Sequence, residues 1–169
     1  KMQVTSYQVD NLDRRTQTTY ADMKFVTVGY DAASNVTQVV DQNGSMVSNT
    51  YDAVNRITAQ SIARGPGVQG TTSRTYEYDG LSRMTKATDN NNPMDPNDDA
   101  EDTYTYDGLS RELSNSQKLG TNTKTVSRTF DAVGNLIEND AGNWESQPES
   151  IALMGKVQEN ITQYDKRFL

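Results

Sequence analysis

One six-residue phrase recurs along this chain: YDAASN at 30–35, YDAVNR at 51–56, YDGLSR at 78–83, YDGLSR again at 106–111 and FDAVGN at 130–135. Repetition constrains a fold strongly, because every copy has to answer the same local demand and each unit must pack on a near-identical neighbour. Aligned on the aromatic-Asp pair, the series extends back to Val9-Asp10 and forward to Tyr164-Asp165, at intervals of 21, 21, 27, 28, 24 and 34 residues. Equal intervals followed by longer ones describe one unit with loops inserted into it. The fourth residue after each Asp is Arg14, Asn35, Arg56, Arg83, Arg111 or Asn135, and an apolar residue follows closely at Val36, Ile57, Met84, Leu113 or Leu136.

The unit has the local chemistry of a hairpin. Upstream of the aromatic, side chains alternate: Val26, Val28 and Tyr30 share one parity, as do Tyr76 and Tyr78, Tyr104 and Tyr106, and Val126, Arg128 and Phe130. Period two means strand. The opposite parity is largely Thr and Ser, which suit a strand face in contact with water. Each Asp then opens a turn, its carboxylate accepting backbone amides two residues on. Gly134, or its stand-ins Asp13, Ser34, Asn55, Ser82 and Ser110, occupies the position that needs an irregular dihedral. The returning strand at 36–41 runs into Asn43-Gly44, a strong hairpin signal. Seven such starts predict an all-β fold, an antiparallel meander of about a dozen short strands forming a curved strip or part of a β-shell or barrel. The array is expected over 1–140, with insertions at 62–73 and 89–103; 141–169 reads as a loop, at 141–149, followed by the start of a further repeat at 163–167. No helix of any length is expected; 153–161 has the pattern for at most one or two amphipathic turns.

Composition supports a thin architecture and removes whole classes of chemistry. Only 33% of the 169 residues are hydrophobic, little to fill a compact core. Sixteen Lys and Arg against 23 Asp and Glu leave a net charge of -7, which repels phosphate backbones and anionic membranes, so no nucleic-acid partner is expected. No apolar run reaches the length of a membrane span, so no membrane insertion is expected. The chain has no Cys and no His, so disulfides, thiol nucleophiles, imidazole metal sites and a Ser-His-Asp triad are all unavailable. It opens on Lys1 without a signal-like segment and reads as a piece of a longer protein.

The repeated Asp and Arg residues admit a catalytic reading as acid-base pairs, but a catalytic site is usually singular, and five copies point to a structural demand. Asp31, Asp52, Asp79, Asp107 and Asp131 are expected to satisfy turn amides, while Arg56, Arg83 and Arg111 cover neighbouring aromatic faces or pair with acids. Tyr76, Tyr78, Tyr104 and Tyr106 read as cross-strand packing, or as a ligand surface if their face is open. Within 89–103, read as an exposed loop, Asp95, Asn97 and Asp99 begin like a calcium loop; Ala100 then replaces the glycine and Tyr106 the final Glu, so the EF-hand reading fails. A looser oxygen site for Ca²⁺ stays open beside the reading of a solvated acidic loop; no other cofactor is expected. The glycine-rich 62–73 lacks the Gly-Lys-Ser/Thr ending of a phosphate loop and reads as a flexible hairpin end.

The words YEYDGLSRM at 76–84, YTYDGLSREL at 104–113, TYDAVNRI at 50–57 and FDAVGNLI at 130–137 resemble the YD repeats of the Rhs and teneurin group, over about 7–139. The recurring positions are Tyr30, Asp31, Tyr51, Asp52, Arg56, Tyr78, Asp79, Arg83, Tyr106, Asp107, Arg111, Phe130, Asp131 and Gly134. The family's turn glycine survives only at Gly134, and Val9 replaces the first tyrosine. The resemblance implies a long β-strip spiralling into a hollow shell, as in bacterial Rhs toxins and insecticidal toxin complexes, where it encloses an effector, or in teneurins, where it is an extracellular scaffold. Some Rhs shells end in a self-cleaving aspartyl element; its glycine-rich word is missing here, since Asp95-Pro96 continues as Asn97-Asp98-Asp99.

The expected function is therefore a non-enzymatic segment of a secreted or cell-surface shell of the Rhs-toxin type, with flanking repeats and an enclosed toxin cargo as partners. Its open strand edges also suggest self-association. The alternative is an extracellular adhesion module recognising glycans or a protein, with or without Ca²⁺. A glycosidase acting through paired carboxylates is a third, weaker reading, since nothing in so acidic a chain locates the pair.

Overall fold

A computed structural model of the chain describes residues 4–141. The expectations for 153–161 and for a repeat at Tyr164-Asp165 lie outside those residues, as does nearly all of the loop at 141–149. Twelve strands follow one another: β1 Ser6–Val9, β2 Arg15–Thr19, β3 Phe25–Tyr30, β4 Val36–Val40, β5 Met46–Tyr51, β6 Ile57–Ala63, β7 Ser73–Tyr78, β8 Met84–Asn90, β9 Ala100–Tyr106, β10 Glu112–Leu119, β11 Asn122–Phe130 and β12 Leu136–Asp140. They form a single sheet in sequence order, every neighbour antiparallel, with β1 and β12 at its two edges. The only helical element among the described residues is one 3₁₀ turn, Pro96–Asp98.

The meander follows from alternation and turn chemistry. Val28 pairs with Val39 and Val39 with Val47, so one face gathers the apolar parity across β3, β4 and β5. Further along, Tyr76 lies opposite Ala87, and Ala87 opposite Asp102. The other face carries Ser and Thr in cross-strand pairs, with hydroxyl contacts between Thr75 and Thr88 and between Thr105 and Ser114, each 2.6 Å. Lys86 and Glu101 add an ion pair on that face.

Because consecutive hairpins reverse direction, their turns fall alternately at the two ends of the strands. All six Asp turns, at 10–14, 31–35, 52–56, 79–83, 107–111 and 131–135, line one rim. The connections at 20–24, 41–45, 64–72, 91–99 and 120–121 line the other. Both insertions therefore sit on the rim away from the repeated phrase.

The insertions are shorter than the sequence suggests. Ile62 and Ala63 finish β6 and Ser73 opens β7; Asp89 and Asn90 finish β8, and Ala100 to Thr103 belong to β9, with Asp89 paired to Ala100. Ladder pairing extends into segments whose Asp and Asn content reads as loop, because Asp89 there meets Arg74 across the sheet at 2.9 Å. The Asn43-Gly44 signal marks a hairpin, but Gly44 alone has a positive φ, of 83°, so the turn has the same form as the Asp turns rather than the two-residue primed type.

A core hardly exists. Val39, Ala87 and Ala100 are the buried apolar residues among those described, and Arg74 and Asp102 are buried beside them. The sheet is one layer thick, and the 64–72 connection reaches over one end of its apolar face, where Val68 and Gln69 line a small cavity with Val39, Val47 and Ile62.

Candidate functional site, the ladder along the aspartate rim

The Arg83 copy serves to describe the unit. Asp79 Oδ1 accepts the backbone amides of Leu81 at 2.9 Å and Arg83 at 3.0 Å, and Asp79 Oδ2 accepts Arg83 Nε at 2.6 Å. The backbone closes around it: Asp79 donates its amide to the Arg83 carbonyl at 2.9 Å, and Ser82 donates to the Asp79 carbonyl at 3.1 Å. Ser82 sits at φ 63°, the left-handed region. The extra residue leaves a register shift just before the aromatic, the signature of a β-bulge that re-aims the strand.

Arg83 then reaches the next copy. Its Nη1 donates to the Asp107 carbonyl at 2.8 Å and to Ser110 Oγ at 3.2 Å, while its guanidinium lies 4.7 Å from the centroid of the Tyr106 ring. Tyr106 answers in the other direction, donating its hydroxyl to the Met84 carbonyl at 2.8 Å. One arginine thus closes its own turn, covers the next aromatic and ties the next turn, and one tyrosine ties back.

The pattern repeats with graded fidelity. Arg14 and Arg56 make the same three kinds of contact, with Tyr30 and Tyr78 at 4.7 and 4.6 Å. Tyr30, Tyr51 and Tyr78 donate to the carbonyls of Arg15, Val36 and Ile57 at 2.8 to 3.0 Å. At Asn35 the side chain is too short to cover a ring, and its amide instead links Asp31 to Asn55 Oδ1 at 2.9 and 2.8 Å. Arg111 holds Asp107 at 2.6 Å and stacks on Phe130 at 4.6 Å, but Phe130 has no hydroxyl and Gly134 no Oγ. The buried Nη1 of Arg111 has no hydrogen-bond partner. Gly134, at φ 96°, also opens that turn beyond the 58–67° of the five side-chain-bearing copies.

The electrostatics reflect these bonds. At Asp52, Asp79 and Asp107 the backbone amide of the arginine four residues on is the largest influence, and together with the guanidinium it holds the carboxyl below the usual range. At Asp31 and Asp131 the amide side chains of Asn35 and Asn135 do the same. At Asp10 burial is the largest single influence and acts upward, but Arg14 and the Leu12 amide together outweigh it. Burial raises the phenols of Tyr51, Tyr78 and Tyr106. A carboxylate held anionic by these bonds fastens its turn.

The remaining expected positions lie apart from the ladder. Asp95 Oδ1 accepts both the backbone and side-chain amides of Asn97 at 3.0 Å, capping the 3₁₀ turn, while Asp99 Oδ2 accepts Asn90 at 3.2 Å. Among the described residues no group of three or more acidic side chains is arranged to hold a metal ion. Tyr76 and Tyr104 lie mid-strand on the tyrosine face, the Tyr76 hydroxyl bonding Gln60 at 3.1 Å.

Sequence reasoning missed three features. The tyrosine-to-carbonyl bond couples residues 15 to 22 apart, and no local word encodes it. Asp41 makes the same turn on the opposite rim, accepting the amides of Asn43 and Ser45 at 3.1 and 2.8 Å; DQNGS at 41–45 matches the FDAVGN turn and could have been found without its aromatic. A polar stripe, Asn49 to Gln60 to Tyr76 and Arg74 to Asp89, crosses the tyrosine face. Its periodicity is disguised because Gln and Asn stand where the alternation calls for apolar residues.

No family model matches the sequence. No curated protein matches it either. The fold does recur among solved structures. The crystal structure of TcdB2-TccC3-Cdc42 aligns with a TM-score of 0.63 at 16% identity, over 75% of this chain and 7% of that one. The crystal structure of TcdB2-TccC3 aligns at 0.61 and 14%, over 85% and 8%. The Photorhabdus luminescens Tc holotoxin pore with a mutated TccC3 aligns at 0.53 and 17%, over 80% and 9%. At these identities the likeness is one of fold, and this chain spans only a small part of those chains' length.

Proposed function

We propose that the chain is a non-enzymatic segment of a YD-repeat protein, building part of an encapsulating β-shell of the Rhs-toxin type that is secreted or held at the cell surface. One observation carries this reading: the repeated Asp, Arg and Tyr groups are occupied in fastening each turn and linking it to the next copy. Side chains so occupied build a wall; they are not presented to a substrate. The fold likeness to toxin-complex structures supports the toxin setting over an adhesion setting. Flanking repeats would continue the sheet at β1 and β12, whose outer backbone groups have no strand partner among the described residues. The cargo would be a polypeptide enclosed by the strip.

A protease-protection assay on the polypeptide that carries this segment tests the reading. Arg83→Ala and Arg111→Ala should open the wall and expose enclosed chain to cleavage. Equal protection in variant and parent would overturn it. A second reading rests on the tyrosine face, against which no second sheet packs among the described residues and which would suit a module binding glycans or a protein. Screening a glycan array with and without chelator tests that alternative, and selective binding lost on Tyr76→Ala would favour it over the shell.

A further inference from the structure

The residue two places after each turn Asp is Leu12, Ala33, Val54, Leu81, Leu109 or Val133. Turn tips usually carry polar or small residues. Here five of six tips carry a large aliphatic side chain, and those five are 62 to 84% exposed. Their turn role does not require it. Only the backbone amide of Leu81, Leu109 or Val133 enters the turn, as a donor to the Asp carboxylate, and any residue but proline could supply it. The aliphatic tips are thus unexplained by the turn that holds them, and they recur at its period.

Adjacent strands stand about 4.8 Å apart, so tips on alternate connections repeat about every 10 Å along the rim. This leaves gaps about one side chain wide between them. The residues just before the tips are Asn11, Ala32, Ala53, Gly80, Gly108 and Ala132, mostly small, so the gaps are not filled from within. The charged groups of the rim lie deeper: in the four Asp-Arg pairs every side chain is 18 to 27% exposed.

We propose that this aliphatic row is a docking seam, and that its occupant is the matching row of a second copy of this chain, packed antiparallel so that the tips of each fill the gaps of the other. Pitch and twist favour this occupant. A sheet twists by about 20–25° per strand, so the row winds, and a second copy is the partner that winds with the same hand and step. Area agrees. Fully burying an aliphatic side chain removes about 60–120 Å² from water, so two facing rows of five bury about 600–1,200 Å². That spans the lower limit of about 1,000 Å² for a specific interface, as expected of a weak, concentration-dependent dimer. The seam stands on the rim geometry and does not depend on the shell reading.

Sedimentation equilibrium on the full chain tests it. The parent should self-associate, more tightly as salt rises, because salt strengthens apolar contact and screens two acidic chains. Leu81→Ser with Leu109→Ser should weaken the dimer at least tenfold, with a melting temperature that matches the parent's at dilutions where both are monomers. An antiparallel pair brings a tip close to its own copy only at the middle of the row, between Val54 and Leu81, and the chain has no Cys, so single Leu81→Cys and Met94→Cys variants report which rim meets its copy. Fast oxidative dimerisation through position 81 and slow dimerisation through 94 is expected. A monomer at all concentrations would overturn the proposal. So would association that the tip substitutions leave intact, which would indicate pairing through the β1 or β12 edge, or faster oxidation at position 94.

Discussion

Phe130→Tyr should repair a missing link. In four copies a tyrosine hydroxyl donates to the carbonyl of the residue just after the preceding Arg or Asn, at Arg15, Val36, Ile57 and Met84. By the same offset the acceptor for position 130 is the Glu112 carbonyl. A neutral hydrogen bond in a partly exposed place contributes about 0.5–1.5 kcal/mol. The substitution leaves the Arg111 stack in place, since that guanidinium lies over tyrosine and phenylalanine rings alike. How the gain is read matters. In a one-dimensional array the terminal unit opens on its own, and β12 is an edge strand with every residue exposed. A global melt would register such a local gain weakly. Hydrogen exchange at the amides of β11 and of the 131–135 turn is the suitable assay, and about 0.5–1.5 kcal/mol there is roughly a two- to twelve-fold rise in protection.

Tyr106→Phe supplies the reciprocal experiment. It deletes the 2.8 Å bond to Met84 from an interior junction, so its loss should appear in the global melt as well, at about 2–4 °C per kcal/mol for a chain of this size. Opposite signs from the two substitutions would establish the hydroxyl as a tie between copies. If Tyr106→Phe proved neutral and Phe130→Tyr left protection unchanged, the tie would contribute nothing and the ladder would rest on the arginines alone.

Gly134→Ser should give the partnerless Arg111 Nη1 an acceptor, as Ser110 does for Arg83. A bond to a charged donor, about 1.5–3 kcal/mol, exceeds a left-handed serine's cost of about 1–2 kcal/mol, so a small net gain in local protection is expected, vanishing in an Arg111→Gln background. With acid, the six turn aspartates lose stabilisation as the pH falls below their ordinary value of 3.8 through their lowered folded values, so unfolding should set in below about pH 4. Asp102 has the opposite sign, because burial raises its carboxyl despite a bond from Gln117. Asp102→Asn should therefore raise the melting temperature at pH 7 and lose that advantage near pH 3, and a pH-independent difference would count against the burial argument. Millimolar Ca²⁺ should leave the melting temperature unchanged, since the Asp95 carboxylate already caps the 3₁₀ turn; a clear upward shift would revive the loop as an oxygen site.

The meander was legible because its determinants are local. Alternation, an Asp at each strand end and a residue tolerant of left-handed φ three places later specify each Asp hairpin without reference to anything distant, and Asp13, Ser34, Asn55, Ser82, Ser110 and Gly134 all lie at positive φ. The order of the sheet follows, since successive hairpins with no crossover can only pair with their neighbours. What could not be read is the part of the ladder in which one residue does several things at once. Arg83 reads as either a partner for an acid or a cover for a ring, and it is both, because Nε faces back to Asp79 while the guanidinium plane lies on Tyr106 and Nη1 reaches Asp107.

The ends of the insertions escaped for the converse reason. Asp89 and Asn90 have loop chemistry alone and strand chemistry only once Arg74, fifteen residues away, is placed across from Asp89. This division has a consequence for substitution. A change at the Asp or at the left-handed position removes a local determinant and should disorder its own hairpin. A change at Arg or Tyr leaves that hairpin's turn amides satisfied and should loosen its junction with the next copy. The second class therefore separates the stability of a unit from the coupling between units, the two quantities that together determine how far such a strip can extend before it frays.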